Sequence, residues 1–152
     1  MKTPVPRSYW VRQGALLAGE YPSRLERFRA VGVTAFVDLT EEGELEPYAE
    51  RLDGWASHRR FPIRDFCVPS ADEMAAILDA LDAALEQDVV YLHCWGGSGR
   101  TGTVVGCWLV RHGMDCDEAL ATIAALRRET AYGVKRSPES DEQCDFVRAW
   151  AR

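Results

Sequence analysis

The sequence predicts an α/β domain with a small central sheet flanked by helices. Short apolar or β-branched runs alternate with helical segments up to about residue 93, and the rest of the chain is helical in pattern. This alternation is typical of layered α/β domains. A length of 152 residues fits one domain, and no repeat or long linker divides the chain. We therefore expect a single domain over residues 1–152.

Four segments rich in apolar or β-branched residues are predicted as strands. They occupy residues 15–19, 33–39, 57–63 and 89–93. The last of them, VVYLH, is short and apolar up to its histidine, as expected for a buried strand.

Six segments are predicted as helices from their apolar periodicity and their end signals. They span residues 22–31, 46–52, 70–87, 103–113, 115–129 and 137–151. The third is the clearest, because Ser70 and Glu73 have the spacing of a capping box. The fourth is apolar nearly all round, which indicates burial in the core. The last opens with Ser137 as its cap and Pro138 at its first helical position.

Composition and charge exclude several function classes. The net charge of −6 disfavours nucleic-acid binding, which calls for a basic face. No apolar run approaches the roughly 20 residues that span a bilayer, and the N-terminus lacks the apolar region of a signal peptide. Five cysteines without a CxxC pair and three scattered histidines predict reduced thiols and no metal site. We expect a cytoplasmic protein, monomeric, without cofactor or membrane partner.

Residues 93–103, HCWGGSGRTGT, stand between the last predicted strand and the predicted core helix. A nucleotide-binding P-loop would need a lysine that is missing here. A dinucleotide fingerprint aligns loosely at Gly97, Gly99 and Gly102, but no acidic partner follows at the expected offset. Both nucleotide interpretations are therefore weak.

A cysteine nucleophile in an anion-binding loop explains this segment better. Glycines before a helix allow successive amide groups to turn inward, and the helix N-terminus adds positive potential. Arg100 offers a planar fork that suits two phosphate oxygens. The same positive field favours the thiolate of Cys94, which is the nucleophilic form. The alternative, a core cysteine beside a glycine turn, explains neither the arginine nor the glycines.

The pattern His93–Cys94–x5–Arg100–Thr101–Gly102 resembles the signature of the cysteine-based protein tyrosine and dual-specificity phosphatases. The resemblance extends from about residue 18 to the last helix, and the small chain is most similar to small dual-specificity-like members. It implies a protein-tyrosine-phosphatase-like fold, with a phosphate-binding loop between a strand and a helix.

The resemblance also implies roles for the residues of this segment. Cys94 would be the nucleophile, and Thr101 would hydrogen-bond its thiolate. His93 would order the loop without touching substrate. The residues that would bind the phosphate are Trp95, Gly96, Gly97, Ser98, Gly99 and Arg100. For Trp95, packing of the loop and contact with substrate both stay open.

Two residues outside this segment complete the implied site. The family needs an upstream aspartic acid on a separate loop, and Asp65 lies in the Pro-bounded stretch FPIRDFCVPS. Asp72 is the competing candidate, although its place in the first turn of a helix suggests capping. Gln143, near the start of the last helix, would align the hydrolytic water, or it is a surface residue.

The implied activity is metal-free hydrolysis of phosphomonoesters through a phosphocysteine, on a phosphorylated protein or a small phosphomonoester. The alternatives are a phosphoinositide or inositol phosphate phosphatase, which the absence of lysine from WGGSG weakens, and a non-catalytic phospho-binding module. A rhodanese-like or arsenate-reductase-like thiol enzyme is disfavoured by the position of Cys94. Basic residues would recognise acidic flanks of a phosphosite or form solvated faces; they are Arg59, Arg60, Arg64, Arg127, Arg128, Lys135 and Arg136.

Overall fold

The computed structural model describes residues 2–150 and contains one five-stranded sheet. The strands are β1 (Ser8–Arg12), β2 (Leu16–Gly19), β3 (Ala35–Asp38), β4 (Ser57–Arg60) and β5 (Val90–His93), in the spatial order β1-β2-β5-β3-β4. β1 is antiparallel to β2, and every other pair of neighbours is parallel. The predicted α/β class with a small central sheet is confirmed.

Five helices and one short 3₁₀ helix surround the sheet. They are α1 (Leu25–Ala30), the 3₁₀ helix (Ala49–Leu52), α2 (Ala71–Leu85), α3 (Arg100–Arg111), α4 (Cys116–Arg128) and α5 (Asp141–Ala149). None of the helices within residues 2–150 is both long and apolar enough to cross a bilayer.

The central strand β5 joins the two hydrophobic cores of the domain. Val90 and Leu92 face the core formed with α2, α3, α4 and α5, whereas Tyr91 faces the core under α1 and the 3₁₀ helix. Successive side chains of a strand point to opposite faces, so one buried strand contributes to both cores. All of its residues are buried, and burying one large apolar side chain contributes about 1.5–3 kcal/mol.

The structure corrects several predicted elements. β1 was not predicted from the sequence, and it adds an antiparallel edge strand next to β2. The strand predicted over 57–63 ends at Arg60, and α1 and the 3₁₀ helix are shorter than predicted. The helix predicted over 103–113 already begins at Arg100, so the arginine of the signature belongs to the helix.

The last helix begins later than predicted, because a different serine caps it. Ser140 accepts a hydrogen bond from the amide of Gln143, whose side chain returns to the amide of Ser140. This capping box satisfies two free amide groups at once. Ser137, the predicted cap, instead donates to the carbonyl of Ser98. The predicted helix also reaches residue 151, which lies outside the described residues.

The sheet topology brings the candidate residues to one edge. Parallel strands β3, β4 and β5 end at the same edge, and ligands of open α/β sheets bind outside the carboxyl ends of the strands. The signature loop (residues 94–99) leaves β5 there and leads into α3. The Asp65 loop (residues 61–70) leaves β4 at the same edge.

Candidate active site

Cys94 lies at the base of the signature loop, immediately after the central strand. Its side chain is buried, and the amide of Gly97 donates a hydrogen bond to its Sγ at 3.3 Å. α3 begins at Arg100, so the thiol stands before the N-terminus of a helix that is buried along nearly its whole length. The amide hydrogen bond and the helix dipole both stabilise negative charge on sulfur.

The carbonyl groups of the signature loop are all held by the surrounding protein. The oxygens of residues 95–99 accept hydrogen bonds, in that order, from Tyr21 N, Tyr132 Oη, Arg127, Ser137 Oγ and Thr103. Carbonyls that face outward leave the amides to face inward, as in an anion-binding nest. Within residues 2–150, the amides of Gly96, Ser98 and Gly99 donate to no protein acceptor, so they are available to a phosphate.

Gly97 is required by both conformation and space. Its φ of +82° lies in the left-handed region that L side chains rarely adopt. A Cβ at this position would also collide with the hydroxyl of Tyr132 and the backbone of Gly19. Neither restriction applies to Gly96, where a Cβ would meet open space.

Arg100 is buried, and its terminal nitrogens donate hydrogen bonds to three oxygen atoms. Its two terminal nitrogens donate to the carboxylate oxygens of Glu44 at 2.8 and 2.7 Å, and one also donates to the carbonyl of Ile63 at 2.9 Å. Burial lowers the pKa of Arg100, but its hydrogen bonds to Glu44 and the nearby negative charges outweigh burial and raise it. The hydrogen bond from Arg100 also lowers the pKa of Glu44. The Nε of Arg100 has no partner within residues 2–150.

Asp65 lies beside Arg100. Its Oδ1 is 3.3 Å from a terminal nitrogen of Arg100, and its side chain is 40% exposed. Oδ1 also accepts from the amide of Phe66, which has a positive φ of 63°. The competitor Asp72 is exposed in the first turn of α2, which Ser70 caps. The structure therefore brings Asp65, and not Asp72, to the arginine of the signature.

His93 connects the signature loop to a buried polar network. Its Nδ1 donates to the carbonyl of Cys94 at 2.9 Å, so its Nε2 accepts from the hydroxyl of Tyr48 at 2.6 Å. Burial lowers the pKa of His93 despite the carboxylate of Asp38, 3.9 Å away, and this favours the neutral ring. The two contacts thus fix one tautomer of the ring.

Asp38 is the buried anion of this network. Its carboxylate accepts hydrogen bonds from Thr40, His58 and Arg60. Burial raises the pKa of Asp38, but the hydrogen bonds from His58 and Thr40 and the proximity of His93 outweigh burial and hold it well below its usual range. The anion therefore ties the ends of β3 and β4 together next to the loop.

Thr101 and Gln143 are both fully buried near the loop. Gln143 is therefore not the surface residue that the sequence left as one alternative. Its Oε1 accepts from the amides of Glu139 and Ser140, and its Nε2 has no partner within the described residues. This nitrogen would lie 2.9 Å from a Cβ built on Gly99. The hydroxyl of Thr101 likewise has no hydrogen-bond partner within residues 2–150.

Arg127 lies beneath the signature loop. Sequence analysis predicted that Arg127 either recognises acidic flanks of a phosphosite or belongs to a solvated face. Both predictions are wrong, because the side chain is fully buried. It donates to the carbonyl of Gly97 at 3.0 Å and to the hydroxyl of Ser98 at 2.8 Å. Its guanidinium carbon also lies 3.6 Å from the ring centre of Tyr132. A planar fork stacked on an aromatic face holds two loop positions at once.

A pocket of about 380 Å³ has Cys94 in its lining. Its mouth carries two exposed aromatic side chains, Phe66 and Trp95, at 61% and 58% exposure. The exposure of Trp95 at the pocket favours contact with substrate over loop packing. The other lining residues are Arg7, Asp65, Gly96, Ser98, Gly99, Arg100, Lys135 and Glu139.

One known protein family matches nearly the whole chain. The family described as "PTP-SAK: Swiss Army Knife protein, DSP-PTPase phosphatase domain" matches residues 5–150. The chain belongs to this phosphatase family.

Relatives of this phosphatase domain are longer than the chain. Protein 067L of Invertebrate iridescent virus 3, a tyrosine phosphatase by name, is 34% identical over an alignment of 111 positions, which covers 67% of this chain and 45% of the viral protein. PTEN1 of Arabidopsis thaliana, named a phosphatidylinositol 3,4,5-trisphosphate 3-phosphatase and protein-tyrosine-phosphatase, is 33% identical over 90% of this chain and 35% of its own length. The chain thus spans less than half of these relatives.

The solved structure of Tk-PTP in its active form has the same fold. It superposes with a TM-score of 0.77 at 28% identity, over 93% of this chain and 94% of Tk-PTP. The predicted protein-tyrosine-phosphatase-like fold is confirmed by this similarity.

Two residues of this phosphatase site were missed by sequence analysis, and a third, Arg127, was given the wrong role. Glu44 lies in an acidic stretch, and no local pattern distinguishes it from its acidic neighbours. Tyr48 lay in a segment predicted as a helix and carried no motif. Arg127 did carry a signal, because it continues the buried face of α4 four residues after Ile123. A charged residue on an apolar face indicates a buried partner.

Proposed function

We propose that this DSP-PTPase-family protein hydrolyses phosphomonoesters through a phosphocysteine intermediate. Its proposed substrates are proteins phosphorylated on tyrosine, or on tyrosine and serine or threonine. The observation that carries the proposal is the convergence of Cys94, Arg100 and Asp65 on one pocket lined by unpaired loop amides. We further propose that the enzyme is a cytoplasmic monomer that needs neither metal nor cofactor and does not act on nucleic acid.

In the first step, the thiolate of Cys94 attacks phosphorus, and a sulfur–phosphorus bond forms as the phosphorus–oxygen ester bond breaks. Arg100 and the amides of the signature loop hold the non-bridging oxygens, where negative charge is concentrated in the transition state. Asp65, in its protonated form, gives its proton to the leaving oxygen. Arg100 and Asp65 are neighbours, so the groups that hold the phosphate and protonate the leaving group lie side by side.

In the second step, water attacks the phosphorus, and its proton passes to the carboxylate of Asp65. The sulfur–phosphorus bond breaks, which returns Cys94 to the thiolate and releases inorganic phosphate. The amide nitrogen of Gln143, which lies beside Gly99 and has no partner in the described part of the chain, supports its role in orienting this water. The hydroxyl of Thr101, also without a partner among residues 2–150, supports its role as a donor to the regenerated thiolate.

A second candidate function is the hydrolysis of a phosphorylated lipid headgroup. It is favoured by the 33% identity to the Arabidopsis protein, whose name includes a phosphatidylinositol trisphosphatase. The absence of lysine from residues 95–99 argues against it, because a polyphosphorylated headgroup calls for extra positive charge within the loop.

The test begins with hydrolysis of para-nitrophenyl phosphate in the presence of EDTA. We expect activity in the parent, none in Cys94→Ser, and a kcat lower by about a hundredfold or more in Asp65→Asn. Asp72→Asn is the matched control and should equal the parent. Rates of hydrolysis of phosphotyrosine, phosphothreonine and phosphoinositide substrates then define the substrate class of the enzyme. A parent that binds phosphopeptides without hydrolysing any substrate would support the binding-module alternative instead.

A further inference from the structure

A second, smaller groove adjoins the active-site pocket. It has a volume of about 170 Å³, and three exposed cations line it: Arg128, Lys135 and Arg136. Lys135 also lines the active-site pocket, so the pocket and the basic groove meet at this residue. Three clustered cations are notable on a chain whose net charge is −6.

The wall of the basic groove is anchored to the signature loop at two points. The hydroxyl of Tyr132 donates to the carbonyl of Gly96 at 2.5 Å, and that of Ser137 donates to the carbonyl of Ser98 at 2.6 Å. Between these anchors, the amide of Lys135 donates to the carbonyl of Tyr132 at 3.0 Å and closes a turn. The groove is therefore held at a fixed position relative to the nucleophile.

The cations of the basic groove have charge to offer a ligand. Within residues 2–150, Arg128 and Lys135 form no ion pair, and Arg136 pairs with the exposed Asp141. Two of the other candidate recognition arginines are engaged elsewhere. Arg60 bonds Asp38, and the guanidinium carbon of Arg59 lies 4.7 Å from the ring centre of Phe61.

We propose that the basic groove binds a second anionic group of a polypeptide substrate, the carboxylate of an acidic residue, while the phosphoester occupies the active-site pocket. This inference rests on the proposed function and defines its substrate class. An extended peptide advances about 3.3 Å per residue, so an acidic residue a few positions from the phosphorylated one lies within reach of the groove. A polypeptide is favoured over a membrane surface because the acidic chain is repelled by anionic lipids.

The experiment compares two sets of phosphotyrosine peptides. In the first set, a glutamate stands at one flanking position, which differs from peptide to peptide. In the second set, a glutamine replaces that glutamate. In the parent, we expect kcat/KM to favour one or more glutamate peptides by about three- to tenfold, since each exposed ion pair contributes modestly. Raising NaCl from about 0.05 M to about 0.5 M should reduce this preference. The double variant Arg128→Gln/Arg136→Gln should abolish it, while turnover of para-nitrophenyl phosphate stays unchanged.

The matched control is Arg148→Gln, which removes one exposed arginine paired with Asp117 at the other end of α4. It should keep the preference. A parent that hydrolyses para-nitrophenyl phosphate but treats both peptide sets alike would overturn the inference and leave the proposed function intact. So would a double variant that slows both sets equally, or a preference for anionic phosphoinositide vesicles over every peptide.

A binding measurement separates this inference from the activity itself. In the Cys94→Ser protein, fluorescence anisotropy should give tighter binding of the preferred glutamate peptide than of its glutamine counterpart, and the double variant should remove the difference. Equal affinities would overturn the inference even if the parent proved inactive.

Discussion

The two carboxylate oxygens of Glu44 accept hydrogen bonds from the two terminal nitrogens of Arg100, at 2.8 and 2.7 Å. The residues are 56 positions apart in the chain, and they meet where the loop after β3 approaches the start of α3. A bidentate pair of this kind fixes the plane of the guanidinium as well as its position. The orientation in which Arg100 meets a phosphate thus depends on a carboxylate outside the signature.

Glu44→Gln should reduce kcat/KM for para-nitrophenyl phosphate by between about tenfold and a hundredfold, because Arg100 loses the anion that orients it. Glu42→Gln, an exposed residue of the same loop, should have no effect and serves as the control. Steady-state kinetics of both purified variants test this. An unchanged Glu44→Gln enzyme would mean that Ile63 and Asp65 suffice to hold the arginine.

Arg127→Lys should lower kcat/KM and also reduce the free energy of unfolding, by about 3 kcal/mol. Lysine keeps the charge but loses the fork that reaches both Gly97 and Ser98. Urea unfolding at pH 7 and steady-state kinetics measure the two effects. The neighbouring Arg128→Lys is exposed, keeps its charge and should match the parent in both; a stable, fully active Arg127→Lys would contradict a role in holding the loop.

Gly97→Ala should destabilise the fold by about 2 kcal/mol or more, because the substitution adds strain at a positive φ to collisions with Gly19 and Tyr132. Gly96→Ala is the control for stability, since its Cβ would meet open space. Thermal unfolding of the two variants beside the parent gives the comparison. Equal midpoints of thermal unfolding for the two variants would contradict the prediction that a side chain at Gly97 is strained and crowded.

Asp38→Asn should reduce the free energy of unfolding by about 3 kcal/mol at pH 7, because the carboxylate is buried among its donors. The pKa of Asp38 is lower in the folded protein than its unfolded value near 4. Its contribution is therefore fully present above about pH 4 and is lost as the pH falls through the folded-state pKa. Urea unfolding measured at a series of acid pH values should show the free energies of unfolding of Asp38→Asn and the parent converging at low pH.

Asp79→Asn provides the exposed control for this pH dependence. Its unfolding curve should follow that of the parent throughout. If the free energies of unfolding of Asp38→Asn and the parent differed by the same amount from pH 7 to the lowest pH tested, protonation of Asp38 would not account for its contribution to stability.

Local sequence was sufficient wherever neighbouring residues carry the information. The spacing from Cys94 to Arg100, the glycines between them and the apolar strand before them lie within a dozen positions, so the nucleophile loop was predicted from sequence. The capping box of Ser70 and Glu73 was predicted for the same reason. Asp65 followed from the resemblance and from its Pro-bounded loop, and the structure brings it 3.3 Å from Arg100.

Tertiary structure decided what depends on contacts between distant segments. Four acidic residues occur between positions 41 and 46, and only the approach of that loop to α3 selects Glu44. Sequence predicted Ser137 as the cap of the last helix, but Ser137 bonds the carbonyl of Ser98 and Ser140 caps the helix instead. Arg127 and Arg128 are adjacent in the chain, but packing of α4 buries one beneath the loop and exposes the other. Sequence therefore determined the chemistry of the nucleophile, while long-range packing determined the groups that orient it, because a hydrogen bond depends on distance in space rather than along the chain.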